Sequence, residues 1–221
     1  MTELNHRKLC EIGARFLKRP ESANGHGCHF AIVEPSCYGE NPDVFGVRHG
    51  FNGATFLLEA KMSRSDFLAD KKKPHRMNPE TGIGKYRYFI CPNGLIKPEE
   101  LPEKWGLIYV RPKGICKVIA GVLAVPRIKY YSEWSKTNKS HLDHKAVEEN
   151  FKTLAFNERN FQNEMNLLTM ALARLGDAEE ILYMQRGYSR LQVKYQELQS
   201  ENKELTAYKN RIEWRQNKGN E

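Results

Sequence analysis

The segment ATFLLEAK, residues 54–61, is the most strand-like stretch of the chain. Its apolar side chains belong in a core, yet it carries a carboxylate, Glu59, and an ammonium, Lys61, at its end. Side chains two residues apart in a strand share a face, so both charges project from one side of the sheet. Just upstream, DVFGVRH (43–49) reads as a second strand, joined to the first through the turn GFNG (50–53). A hairpin centred near residue 51 or 52 sets Asp43 opposite Glu59 or Ala60. Two carboxylates held that close repel each other and push one pKa up. A bound Mg²⁺ relieves the repulsion, because it takes oxygen ligands from one or two carboxylates together with phosphate and water. The metal polarises a phosphoryl oxygen and lowers the pKa of an attacking water, and Lys61 is suited to orient that water or to stabilise the developing charge. The pattern points to phosphodiester hydrolysis assisted by Mg²⁺ or Mn²⁺.

The rest of the chain provides a frame for that hairpin. Residues 4–18 place Leu4, Leu9, Ile12, Phe16 and Leu17 near helical spacing, with Pro20 and Gly25 beyond. HFAIVE (29–34), KYRYFICP (85–92), WGLIYVRP (105–112) and GICKVIAGV (114–122) read as strands. Residues 63–73 turn helical, with Ser63 or Ser65 as N-cap and Pro74 past the end, and 73–84 form a mobile Gly/Pro loop. The order predicts an α/β fold: a mixed central sheet flanked by helices over 1–142. Residues 143–175 read as one helix with Val147, Phe151, Leu154, Phe161, Met165, Leu168 and Leu172 on its apolar face, ended by Gly176. Residues 177–221 form a separate tail.

The dipeptide PD at 42–43, followed by EAK at 59–61, resembles the PD-(D/E)XK nuclease superfamily. The continuation EAKMSRSDFLADKKKPHR, then GIGKYRYFICPNGLIKPEELPEKWGLIYV, is similar to its MmcB-like branch and to relatives encoded by phages and prophages. The resemblance covers residues 5–125 or so. It implies a restriction-endonuclease-like core, with Asp43 and Glu59 as metal ligands and Lys61 as the catalytic lysine. It also implies DNA as partner and the cytoplasm of a bacterial host as location. Superfamily members often add an acid from the first helix. Glu11 is the candidate here, with Glu34 and Glu40 as rivals.

The net charge of +8 favours a polyanionic partner. Arg64, Lys71, Lys72, Lys73, His75 and Arg76 form a basic stretch beside the expected site, and Tyr86, Arg87 and Tyr88 follow. Cations neutralise phosphates and aromatic rings stack on exposed bases, so this stretch is expected to contact nucleic acid. Ser63 is suited either to bond a phosphate at a helix start or simply to cap the helix. A non-cleaving DNA-binding or host-factor-binding protein on the same scaffold is the competing reading.

In the tail, Met184, Leu191, Leu198, Leu205 and Ile212 recur every seven residues, with Tyr188, Tyr195, Asn202 and Lys209 at the matching second position. Leucines at one seam position and a polar Asn at the other suit a parallel coiled-coil homodimer, which also offers a surface for a host or phage protein. The five cysteines have no disulfide spacing, and no apolar run is long enough to span a membrane. The N-terminus lacks the apolar core of a signal peptide, and the expectation is a reducing, intracellular setting. His26, Cys28, His29 and Cys37 offer zinc-ligating atoms, but their spacing matches no familiar finger and ordinary loop and strand roles are expected.

Overall fold

The computed structural model describes residues 4–35, 40–50, 53–134, 136–175 and 178–218. They divide into two bodies, Met1–Ala171 and Leu172–Glu221. The first is built on a six-stranded sheet of β1 (Phe30–Val33), β2 (Val44–Arg48), β3 (Ala54–Ala60), β4 (Tyr86–Pro92), β5 (Trp105–Arg111) and β6 (Ile115–Ala120), ordered as in the sequence. β1, β2 and β3 are antiparallel neighbours, β3, β4 and β5 run parallel, and β6 returns antiparallel on β5. Every residue of β3 is buried, as expected for a strand with neighbours on both edges and elements on both faces.

Helix α1 (His6–Lys18) covers one face. Asn5 caps it by accepting from Lys8 N, and Leu9, Ile12, Phe16 and Leu17 go inward to join Val44, Phe56 and Leu58 in one apolar cluster. Gly13 permits the close approach: a Cβ there would lie 2.8 Å from the Leu58 side chain. The other face holds a second cluster, where Phe45, Leu57 and Phe89 meet Phe67 of α2 (Arg64–Asp70) and Leu167 of α5 (Phe161–Leu175). The parallel connection from β3 to β4 contains α2 and a single turn, α3 (Pro74–Met77). Pro74 opens α3 instead of lying in a loop, because its missing N–H costs nothing at a first helical position.

The helix expected over 143–175 is broken. α4 (His144–Thr153) stops, and residues 154–160 dock as an irregular link before α5. Phe156 N donates to Lys85 O and Asn160 N to Gly82 O, while the Phe156 ring packs against the Arg87 guanidinium. The inward face of α5 also differs from expectation. Leu167 and Ala171 are buried while Phe161, Met165 and Leu172 are exposed. The buried Glu164 carboxylate accounts for the shift: its Oε1 accepts from Thr55 Oγ1, Gly84 N and Arg159 Nε, each at 2.8 Å. A further two-stranded hairpin, β7 (Arg127–Ser132) with β8 (Thr137–Leu142), was not expected.

In the second body, α6 (Ala178–Lys218) is a single 41-residue helix. Gly176, expected to end the preceding helix, and the hairpin-tip residues Phe51 and Asn52 lie outside the described residues, and the side chain of Ile212 does too. Among the described residues no helix is long and apolar enough to cross a membrane.

Candidate active site

The β2–β3 ladder pairs Val44 with Leu58, so its next step faces Asp43 toward Glu59, as the hairpin register requires. The chain bends at Asp43, and Oδ2 turns to accept from Ala60 N at 2.7 Å, between Glu59 at the end of β3 and Lys61 just beyond it. Glu59 and Lys61 come together at the end of β3, with Lys61 Nζ 3.3 Å from Glu59 Oε2. Both side chains are buried.

A buried charge must be compensated, and here the segment following β3 compensates it. Ser63 caps α2 by accepting from Asp66 N, which sets Asp66 and Asp70 one helical turn apart, both toward Lys61. Lys61 donates to Asp70 Oδ1 at 2.9 Å and has Asp66 at 3.8 Å. Lys73 Nζ lies 3.1 Å from Glu59 and 2.8 Å from Asp70. Arg76 on α3 reaches Asp70 at 2.6 Å, Glu40 at 2.8 Å and Glu59 at 3.2 Å. Glu40 also accepts from Ile83 N and faces His75. Glu59, Asp70 and Glu40 thus interlock with Lys61, Arg76 and the half-exposed Lys73 in one network that is otherwise buried.

Burial pushes the Glu59 carboxyl above its usual range against the pull of Arg76 and Lys61, and the Asp43 charge adds to the push. Burial also opposes ionisation of Asp70, but Arg76, Lys73 and Lys61 outweigh it and hold that carboxyl well below the usual carboxylate range. Glu59 Oε1 is buried and accepts no hydrogen bond among the described residues; Arg76 lies beside it without hydrogen-bond alignment. A hard divalent cation takes carboxylate oxygens, and at Glu59 Oε1 it would displace the Arg76 guanidinium, 3.2 Å away.

Several expected site residues are placed elsewhere. Glu11 pairs with Arg7 and Lys8 on the surface of α1 and contacts none of the site carboxylates. Among its rivals, Glu34 pairs with Arg7, whereas Glu40 is tied to Glu59 through Arg76. Tyr86 and Arg87 are buried, a correction to their expected contact with nucleic acid: Tyr86 donates to Phe151 O and Arg87 to Gly84 O and Pro79 O. Lys73, His75 and Arg76 turn inward to Glu59, Asp70 and Glu40, so the basic run is not one outward face. Arg64 forks onto Glu100. Lys71 and Lys72 remain on the surface. Asp70 was missed. Its signal lay in the sequence, four residues after Asp66 on a helix capped by Ser63.

His26 is fully buried, packed among Phe16, Phe56 and Tyr88, and His29 stacks on His49. Neither belongs to any convergence of metal-ligating atoms among the described residues, and Cys37 lies outside them. A cleft of about 590 Å³ opens at the opposite end of β3 from Glu59, lined by Arg48, Lys85, Tyr86 and Phe151 among others. Chemistry, not cleft volume, singles out the Glu59 end.

No protein-family model matches the chain, and no curated protein matches it. Among solved structures, the chain is similar to a protein of unknown function from Silicibacter pomeroyi, at 17% identity over 80% of this chain and 98% of that one, with a TM-score of 0.40.

Proposed function

We propose that the protein is a metal-dependent deoxyribonuclease that hydrolyses phosphodiester bonds at the Glu59 end of β3. The observation that supports this reading is a buried carboxylate, Glu59, one oxygen of which accepts no hydrogen bond among the described residues, beside a buried lysine, Lys61, with Asp43 at the adjoining strand end. Asp43 and Glu59 would hold Mg²⁺ or Mn²⁺, which supplies polarisation of the phosphoryl oxygen and a more acidic water. Lys61 is oriented by Asp70 and places a fixed positive charge where negative charge develops on the phosphate. Lys73 and Arg76 bridge carboxylates here, and a substrate phosphate is a competing anion for both. Lys71 and Lys72, on the surface close by, attract the DNA backbone.

The same network favours a second reading. Glu59 is already surrounded by Lys61, Lys73 and Arg76, as in a scaffold that keeps its charges for structure and binds DNA or a partner protein without cutting. Incubating the protein with single- and double-stranded DNA and Mg²⁺ or Mn²⁺ separates the two. Cleavage lost in Lys61→Ala with DNA binding retained supports hydrolysis. No cleavage under any of these conditions supports the binding reading.

The tail adds a second element to the proposal. Met184, Leu191, Leu198 and Leu205 are each at least 55% exposed along one stripe of α6, and a parallel second copy of α6 would bury them, with Asn202 facing its own counterpart. This gives a homodimer with the nuclease domain carried on a coiled coil.

A further inference from the structure

At the N-terminal end of α1, His6 and Cys10 sit one turn apart on the same face. Cys10 Sγ lies 3.7 Å from His6 Nδ1, Glu34 Oε1 lies 3.4 Å from the same nitrogen, and Asp43 Oδ1 lies 3.4 Å from Nε2. One donor atom each from His6, Cys10 and Asp43 falls within 4.8 Å of the others. A ring lying between two carboxylates accounts for His6, Glu34 and Asp43. Cys10, buried in the α1 cluster, brings a thiol to the same ring and adds a soft donor to that set.

We propose that His6, Cys10 and Asp43 form a binding site for a zinc-type divalent ion, separate in its donor chemistry from the Glu59 site. Sulfur, imidazole nitrogen and carboxylate oxygen together select Zn²⁺ or Co²⁺, whereas Mg²⁺ takes oxygen alone. Two ligands at i and i+4 on one helix, with a third from a neighbouring strand end, is a spacing that zinc uses. Zinc bonds of about 2.0 Å to nitrogen and 2.3 Å to sulfur put donors roughly 3.3–3.8 Å apart in a tetrahedron, so the three donors, all within 4.8 Å of one another, need to draw in by about 1 Å. With Nε2 on the ion, Nδ1 faces Glu34 at 3.4 Å as the outer partner that fixes the imidazole tautomer. Binding releases the thiol proton to solvent. His6 and Asp43 are partly exposed, which gives the ion a route in.

The proposal stands without the hydrolytic reading, because it uses neither Glu59 nor Lys61, although it shares Asp43. Titration of the full-length protein with Co²⁺ alone tests it. One equivalent should bind with a sulfur-to-cobalt charge-transfer band in the near ultraviolet, and one equivalent of Zn²⁺ should bleach it. Cys10→Ser should abolish the band. His6→Ala should weaken Co²⁺ binding by at least the roughly 10–100-fold that loss of an outer partner costs. Glu59→Gln should leave the band intact, so failure of the hydrolytic site and failure of this one read out separately. Circular dichroism identifies a variant that has not folded; should Cys10→Ser be one, the more exposed His6→Ala decides. Folded wild type without the band, or a band undiminished in either folded variant, overturns the proposal.

Discussion

Glu59 takes a negative charge into the buried end of a strand, and the residues after it answer with Lys61, Lys73 and Arg76. Asp70 makes that arrangement tolerable by accepting from all three cations. Asp70→Ala leaves them short of one buried anion, and breaking a buried pair of this kind costs about 3–5 kcal/mol. Urea denaturation should show that loss, with exposed Lys72→Ala within about 0.5 kcal/mol of wild type; equal effects would mean the network carries no structural load. The same residue sets an acid dependence. Its folded pKa lies below the unfolded value of about 3.9. Its contribution is therefore complete above that value and is lost as pH falls toward the folded pKa. Glu59 is shifted the other way, so acid relieves its burial and offsets part of the loss. Stability measured from about pH 5 down to pH 2 should fall more steeply in wild type than in Asp70→Asn; parallel curves would contradict the assigned shift.

Among the elements, what was legible followed from periodicity and from Gly and Pro punctuation. The apolar runs of β3, β4 and β5 are bounded by glycine or proline, and the hairpin register followed from where its turn is centred, which is why Asp43 falls beside Glu59 and Ala60 as expected. What escaped depended on contacts distant in sequence. Nothing local to residues 154–160 announces that Phe156 will bond Lys85 and stop a helix, and β8 lacks the apolar alternation of a half-buried strand, which left β7 without a legible partner. The basic run read as one surface because charge is visible in sequence while the inward turn of Lys73 and Arg76 is not. Packing between strands is equally invisible and equally testable. Gly106 on β5 leaves room for the Tyr88 ring of β4, and a Cβ there would lie 2.2 Å from that ring. The Tyr88 hydroxyl accepts from Val122 N at 3.1 Å, which holds the ring in place. Gly106→Ala should therefore destabilise by about 1–3 kcal/mol or more, read as a lowered melting temperature; an unchanged value would show that the ring is free to move.

The chain as a whole carries a sheet-based body with a buried charged site and, after it, a long helix with an exposed apolar stripe. A stripe of leucines and tyrosines of that length on a single helix calls for a partner, and a second copy satisfies both the seven-residue spacing and Asn202. Sedimentation of the full chain should give a dimer, and Leu198→Asp a monomer. A wild-type monomer would remove the coiled coil while leaving the site untouched. The central claim is hydrolysis at Glu59 and Lys61, and a DNA cleavage assay with Mg²⁺ or Mn²⁺ on wild type, Glu59→Gln and Lys61→Ala measures it most directly. The account predicts cleavage by wild type that is lost in Glu59→Gln and falls by roughly 100-fold or more in Lys61→Ala, with DNA still bound by Lys61→Ala; cleavage of equal rate in all three, or none in wild type, would contradict it.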